Sequence, residues 1–177
     1  MSTENEKMEK ARAYAARMHE GQTRIGGDPY ISHPLAVADI VRDWGYGPDY
    51  QVAALFHDLL EDTEATPAEI EDLGGPDVLE AVRLLTKEPG YNMDSYVRAI
   101  RDNPIAFVVK GADRLHNLRS ARSAGPDFRR RYIDESNTWF LDFADEIPQA
   151  VRDLEKTLEP VGEDVLADAP ETLALHV

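Results

Sequence analysis

Four ionisable side chains stand within one largely apolar stretch, Ala53-Ala54-Leu55-Phe56-His57-Asp58-Leu59-Leu60-Glu61-Asp62-Thr63. An imidazole and three carboxylates set this close can hold a divalent cation or move protons. On a helix, residues three and four apart share a face, which puts Glu61 one turn beyond His57 and Asp62 one turn beyond Asp58. Burying such groups unpaired costs on the order of several kcal/mol per charge. A divalent cation is the common remedy, because it offsets the carboxylates and takes neutral imidazole directly. A plainer arrangement also fits: a helix end with a solvated acidic patch and one hydrogen-bonded histidine. Taken alone, His57-Asp58 favours that plainer arrangement.

Two further positions widen the set, His33 at the mouth of a second helix and Asp113 on a helix running from Ile105. Two imidazoles and two carboxylates, nitrogen and oxygen donors only, suit Mn²⁺, Fe²⁺, Co²⁺, Zn²⁺ or Ni²⁺ and leave positions open for water. His33 would serve equally as a helix cap, and Asp113 would equally pair with Arg114 or Arg119. Spacing cannot bring ligands on three separate helices to one point.

The elements that must position these residues read as helices throughout. Met8, Ala11, Ala15 and Met18 recur at core spacing over residues 4–19. Three glycines and a proline between Glu20 and Tyr30 mark a loop, after which Ser32 can cap a helix opening at His33-Pro34. Val52, Leu55, Phe56, Leu59 and Leu60 predict one buried central helix from about 49 to 61. Thr66-Pro67-Ala68-Glu69 is a capping box with proline at the first helical position, closed by Gly74-Gly75. Further helices are predicted from Pro76, from Met93 to Arg101, over 105–119, from Pro126 through Phe143, and over 148–158. A strand over 105–109 is the weaker reading, since Ile105, Val108, Val109, Ala112, Leu115 and Leu118 keep helical period. The chain is predicted to be all-α, one domain over residues 1–158 built from about eight helices. The acidic stretch 159–177 is expected to be a mobile tail.

Composition bounds the function. A chain of 177 residues can bury a proper core, and 42% apolar with 30% charged residues is ordinary for a globular protein. With no cysteine, disulfides, thiolate metal sites and cysteine nucleophiles are excluded. A formal charge of −15 argues against nucleic-acid or anionic-membrane partners, which need basic surfaces. A small anionic ligand needs only local positive charge. The arginines crowd between Arg114 and Arg131, and the run Arg129-Arg130-Arg131 reads as a solvated helix face. No apolar run is long enough to span a bilayer and the N-terminus lacks a signal-peptide pattern, so cytoplasm is the expected location. Oligomeric state is not legible.

In order and context, His33, His57-Asp58 and Asp113 resemble the H…HD…D pattern of the HD superfamily of metal-dependent phosphohydrolases. Three extended segments narrow the resemblance to the hydrolase domain of the RelA/SpoT alarmone enzymes. Gly21-Gln22-Thr23-Arg24 through Asp28-Pro29-Tyr30-Ile31-Ser32-His33-Pro34 is similar to that family's GQxR…PYxxHP segment. The stretch Ala53 to Thr63 resembles its AALLHDxxEDT, and Val109-Lys110-Gly111-Ala112-Asp113-Arg114-Leu115-His116-Asn117-Leu118-Arg119 resembles its VKLADRLHNxR. At this length the chain looks like the stand-alone small alarmone hydrolases.

The resemblance implies an HD-domain helical bundle in which His33, His57, Asp58 and Asp113 hold one Mn²⁺. It implies Glu61 and Asp62 as the catalytic carboxylates, Arg24 as a phosphate-binding loop arginine and Asn117 as a nucleotide contact. Lys110 and Arg119 would add positive charge for the substrate, although helix-surface roles suit them equally. The implied reaction removes the 3′-pyrophosphate from guanosine 3′,5′-bis(diphosphate) or its pentaphosphate form, giving GDP or GTP. Alternatives are another HD-type phosphohydrolase acting on nucleoside monophosphates or NADPH, and a non-catalytic nucleotide-binding partner protein. Two residues depart from the family pattern. Ile25 stands where a lysine is frequent, which bears on phosphate affinity. Gly111 replaces a usual leucine, at a helix-propensity cost of roughly 1 kcal/mol that would loosen local packing.

Overall fold

The structure, a computed structural model, describes residues 3–158. The expected tail, 159–177, lies outside the described residues. Among the described residues ten α-helices follow in order: α1 (Thr3–Met18), α2 (Ser32–Asp43), α3 (Pro48–Phe56), α4 (Leu59–Asp62), α5 (Pro67–Gly74), α6 (Pro76–Leu85), α7 (Met93–Arg101), α8 (Pro104–Ser120), α9 (Pro126–Trp139) and α10 (Ile147–Glu155). No described helix is long and apolar enough to cross a membrane. The all-α bundle expected from periodicity is the architecture observed.

Two helices form the middle of the bundle. The apolar run Val52–Phe56 makes α3 buried on all sides, against α1, α2, α6 and α8. Helix α8 opens on Asn103, whose side chain accepts from the Ala106 N–H, with Pro104 at its first turn. It packs against α2, α3, α6, α7 and α10 through Ile105, Val109, Ala112, Leu115 and Leu118. Residues 105–109 are therefore helix. The predicted capping box also forms: Thr66 Oγ1 accepts from the Glu69 N–H, and Glu69 Oε2 accepts from the Thr66 N–H at 3.0 Å. Ser32 does not cap α2, which enters through Ile31 with no side-chain cap.

Several boundaries correct the reading from sequence. The single central helix is two, α3 and α4, separated by a turn at His57-Asp58. His57 Nδ1 lies 2.6 Å from the Ala54 carbonyl oxygen, the acceptor a continuing helix would assign to the Asp58 N–H. This side-chain capture ends the ladder, and Asp58 relaxes to φ −102°, ψ −2°. The helix count accordingly exceeds eight. Helix α9 stops at Trp139, well before Phe143, because Phe140 (φ −128°, ψ 4°) turns the chain back so that its ring packs edge-on to Phe143.

Gly111 has a use that propensity did not show. A Cβ there would sit 2.6 Å from the Phe143 carbonyl oxygen, so glycine is what lets the segment after α9 lie directly on α8. Gly111→Ala is expected to lose about 1–3 kcal/mol to overpacking, outweighing the roughly 1 kcal/mol that alanine gains in helix propensity. Urea denaturation midpoints measure this, and a more stable variant would contradict the close approach.

Candidate metal centre

The turn between α3 and α4 lets two adjacent residues aim at one point, which successive positions on a continuous helix cannot do. His57 Nε2 lies 3.0 Å from Asp58 Oδ2 and 3.2 Å from His33 Nε2, which α2 supplies from its first turn. Helix α8 brings Asp113 from the opposite wall, its Oδ1 3.0 Å from His33 Nε2 and 3.7 Å from His57 Nε2. His33, His57 and Asp58 offer ligand atoms within 4.8 Å of one another. The four residues named from sequence thus meet at one place. Both histidines and Asp113 are buried, and Asp58 is partly so.

Hydrogen bonds at the back of each ring decide what faces forward. His57 Nδ1 must donate to the Ala54 carbonyl, so in the neutral ring Nε2 presents a lone pair to two carboxylates and a second imidazole. Three acceptors around one point, the His57 lone pair and the two carboxylates, require a positive charge among them. Burial lowers His57, but Asp58 and Asp113 override it and carry the group well above the ordinary imidazole range. A proton on Nε2 then fills the place a divalent cation would take. Burial likewise lowers His33, which stays neutral. Burial would raise Asp58, yet His57 holds it down to about 2, and Lys110 with the histidines holds Asp113 well below the carboxylate range. With that proton displaced from His57, two neutral imidazoles and two carboxylates remain, a donor set that fits a hard or borderline divalent cation.

A polar cavity of about 380 Å³ opens from this cluster, with Glu61 and Asp62 at its mouth. Glu61 Oε1 accepts from the Lys87 backbone N–H at 2.6 Å, fixing one carboxylate oxygen and leaving the other to the cavity. Burial, Asp58 and Glu61 all raise Asp62 above the usual carboxylate range. Lys110 lines the same cavity but is buried, its Nζ 2.9 Å from Asp113 Oδ2 and set over the Tyr96 and Phe140 rings. Its charge serves the cluster first.

Arg24 does not point freely at an incoming phosphate. The loop before α2 folds back through an isolated bridge between Thr23 and Pro29, with Gly26 (φ 105°) and Gly27 (φ 94°) at its tip. There the guanidinium donates from Nη2 to Asn117 Oδ1 at 2.8 Å and from Nη1 to His116 Nδ1 at 3.2 Å. Asn117 in turn donates to Asp113 Oδ1 at 2.8 Å. Arg119 lies elsewhere: it is exposed and shares a separate depression with Arg122, Asp145 and Asp153. One turn beyond Leu115 on the helix, it leaves the face that carries Asp113 and Asn117.

Other residues at the site were not singled out from sequence. The Tyr30 hydroxyl donates to Asp58 Oδ2 at 2.6 Å, and burial with Asp58 beside it keeps that hydroxyl protonated. Arg131 and Lys87 line the polar cavity, and neither forms an ion pair with another described residue. The arginine run set aside as a solvated face thus contributes one member to the site. A second cavity of about 310 Å³ adjoins the first through Tyr30, Asn117, Phe128 and Tyr132, and has a mostly apolar lining with Ile25 and Ala124. Phe128 and Tyr132 are stacked at 5.6 Å along the wall of both. Helical spacing on α9 held the signal for Phe128, Arg131 and Tyr132, but no period shows which face of a helix meets a cavity.

Comparison with known proteins agrees with this geometry. Residues 11–94, which carry His33, His57 and Asp58, match the family model described as HD domain. That match spans just under half of the chain. Asp113, on α8, lies beyond the matched residues. The chain is 35% identical over 166 residues to the GTP pyrophosphokinase rsh of Brucella melitensis biotype 1, covering 88% of this chain and 22% of that one. It is 33% identical over 171 residues to the guanosine-3′,5′-bis(diphosphate) 3′-pyrophosphohydrolase of Escherichia coli O157:H7, covering 90% and 24%. The chain thus spans under a quarter of the length of these relatives. A solved structure described as a metazoan orthologue of SpoT that hydrolyses ppGpp superimposes with a TM-score of 0.63 at 27% identity, covering 89% of this chain and 93% of the other.

Proposed function

We propose that this HD domain is a metal-dependent hydrolase that removes the 3′-pyrophosphate of guanosine 3′,5′-bis(diphosphate) and of its pentaphosphate form. The observation that carries the reading is the convergence of two imidazoles and two carboxylates on a polar cavity that also presents two cations, Lys87 and Arg131, without carboxylate partners among the described residues. The names borne by the full-length relatives and by the superimposing structure point to the same substrate. His33, His57, Asp58 and Asp113 would hold one divalent ion, Mn²⁺ first among the candidates. When bound, such an ion supplies Lewis acidity, making water a better nucleophile and drawing charge from a phosphoryl oxygen.

The protein's own groups do the rest. Lys87 and Arg131 neutralise the diphosphates, and the adjoining cavity receives the nucleoside, whose flat faces suit Phe128 and Tyr132. Water attacks the 3′-linked phosphorus and the bond from that phosphorus to the 3′-oxygen breaks. Glu61, held by the Lys87 N–H, takes the proton that the water loses. Asp62, raised by its surroundings, carries a proton to the departing 3′-oxygen. Pyrophosphate and GDP or GTP leave.

The test is hydrolysis by protein stripped with chelator and reloaded with Mn²⁺, on guanosine 3′,5′-bis(diphosphate), NADPH and deoxynucleoside monophosphates, with Asp58→Ala protein as the blank. Release of pyrophosphate from the first compound alone is expected. Phosphate release from another compound would keep the cluster and discard the substrate, and nucleotide binding without turnover would make the protein a non-catalytic binder. A companion measurement separates the roles. Glu61→Ala is expected to bind Mn²⁺ within a few-fold of wild type while kcat falls by about 10²–10⁴. Metal loss equal to that of Asp58→Ala would make Glu61 a metal ligand and not the base.

A further inference from the structure

We infer that His116 is a positioning residue that sets the tautomer of His33, tying the loop arginine Arg24 to the metal-binding atom of that histidine. His116 Nδ1 receives two neighbours: Arg24 Nη1 at 3.2 Å and His33 Nδ1 at 2.8 Å. A guanidinium can only donate, so His116 Nδ1 must accept. The same lone-pair atom then requires His33 to donate from its own Nδ1. That leaves His33 Nε2 without a proton, facing Asp113 Oδ1 at 3.0 Å and His57 Nε2 at 3.2 Å. Lone pair against carboxylate is an unfavourable meeting unless a cation stands between them. Without His116 the opposite tautomer is preferred, because an Nε2–H would donate straight to Asp113 and block the ligand atom.

The two ligand histidines therefore both carry a proton on Nδ1, by different routes. His57 is fixed by a backbone carbonyl, which no substitution of a side chain removes. His33 is fixed by a side chain that is itself oriented by Arg24. The rings of His33 and His116 lie 5.0 Å apart, tilted by 34°. The second arm of Arg24 reaches Asn117 and through it Asp113. One arginine on the hairpin loop thus braces two of the four residues of the cluster. This inference rests on the metal-site reading only for the consequence it predicts, since the tautomer belongs to the protein itself.

The experiment is long-range ¹H–¹⁵N correlation NMR of histidine-labelled, metal-free protein at mildly alkaline pH, paired with Mn²⁺ titration against a competing chelator. Wild type is expected to show His33 protonated at Nδ1. His116→Leu is expected to move the proton to Nε2 and weaken Mn²⁺ binding by about 10–100-fold. His116→Asn, whose side-chain oxygen stands near the position of Nδ1, is expected to restore both. Should His116→Leu fail to fold, Arg24→Met removes only the donor to His116 and is expected to give a mixture of His33 tautomers. An Nε2-protonated His33 in wild type overturns the inference. So does an unchanged tautomer, or unchanged Mn²⁺ affinity, in the folded His116→Leu protein. Wild-type protein that binds no Mn²⁺ would instead remove the metal-site reading, and the tautomer would still decide the role of His116.

Discussion

Asp113→Ala is expected to lose metal, activity and stability together, whereas Asp58→Ala loses the first two and keeps most of the third. Both carboxylates sit against the histidine pair, and deletion of either should cut hydrolysis by at least about 10³-fold, the scale on which single groups in a concerted site act. They differ in what they leave behind. Asp58 is partly exposed, and its hydrogen bond from Tyr30 can be taken over by water. Asp113 is the partner of Lys110, whose ammonium is buried beside two aromatic rings and has no other carboxylate in contact among the described residues. Removing one member of a buried pair costs about 3–5 kcal/mol, because the other is left charged and unpaired. Denaturant melts and metal content after gel filtration read the two effects separately. The double variant Asp113→Ala with Lys110→Met is expected to regain stability and not metal. Equal stability of the two single variants would show that Lys110 is not held by Asp113.

Arg114→Ala is expected to lower stability by about 3–5 kcal/mol and Tm on the order of 10 °C, while Arg114→Met loses little of either. The Arg114 guanidinium is buried between the Tyr132 and Phe140 rings, at 4.1 and 4.2 Å from their centroids, and bonds to Glu135 and to Ser136 Oγ. Alanine would empty that slot and release α9 from α8. Methionine refills it, and Glu135, which is partly exposed, can turn to water. Because α9 also carries Phe128, Arg131 and Tyr132 to the cavity, the alanine variant should raise KM more than it lowers kcat. Steady-state kinetics on the folded variant checks this. Equal losses for alanine and methionine would show that the charge, and not the filled slot, holds the two helices together.

The helical architecture was legible because nearly every element has an apolar period and a proline or cap at its start. The four members of the cluster were legible as residue types in a family order, but their meeting was not. The break at His57-Asp58 has no sequence signal of its own: its neighbours keep an unbroken apolar stripe, and the turn arises from one imidazole taking one carbonyl. Without that turn the adjacent pair would point in different directions. Arg119 takes the second of the two roles open to it, an exposed helix-surface arginine whose phase turns it away from the cavity. Lys110 and Gly111 mislead for one reason: composition cannot show that a lysine will be buried or that a carbonyl will lie where a side chain would go. Arg131 is hidden in a run of like charges in the same way. A helix face acquires meaning only from what packs opposite it.

On α8, Lys110, Asp113, Arg114 and Asn117 line the polar cavity, while Val109, Ala112, Leu115 and Leu118 fill the core between them. One α-helical residue is about 100° of rotation. A single deletion upstream of Lys110 would thus turn the charged face into the apolar interior and the leucines out toward the cavity, at once and completely. This helix can drift in residue type at its exposed positions, but not in length. Among relatives, insertions and deletions should collect in segments such as 88–92, which lie between Lys87 and α7, and be missing between Lys110 and Asn117.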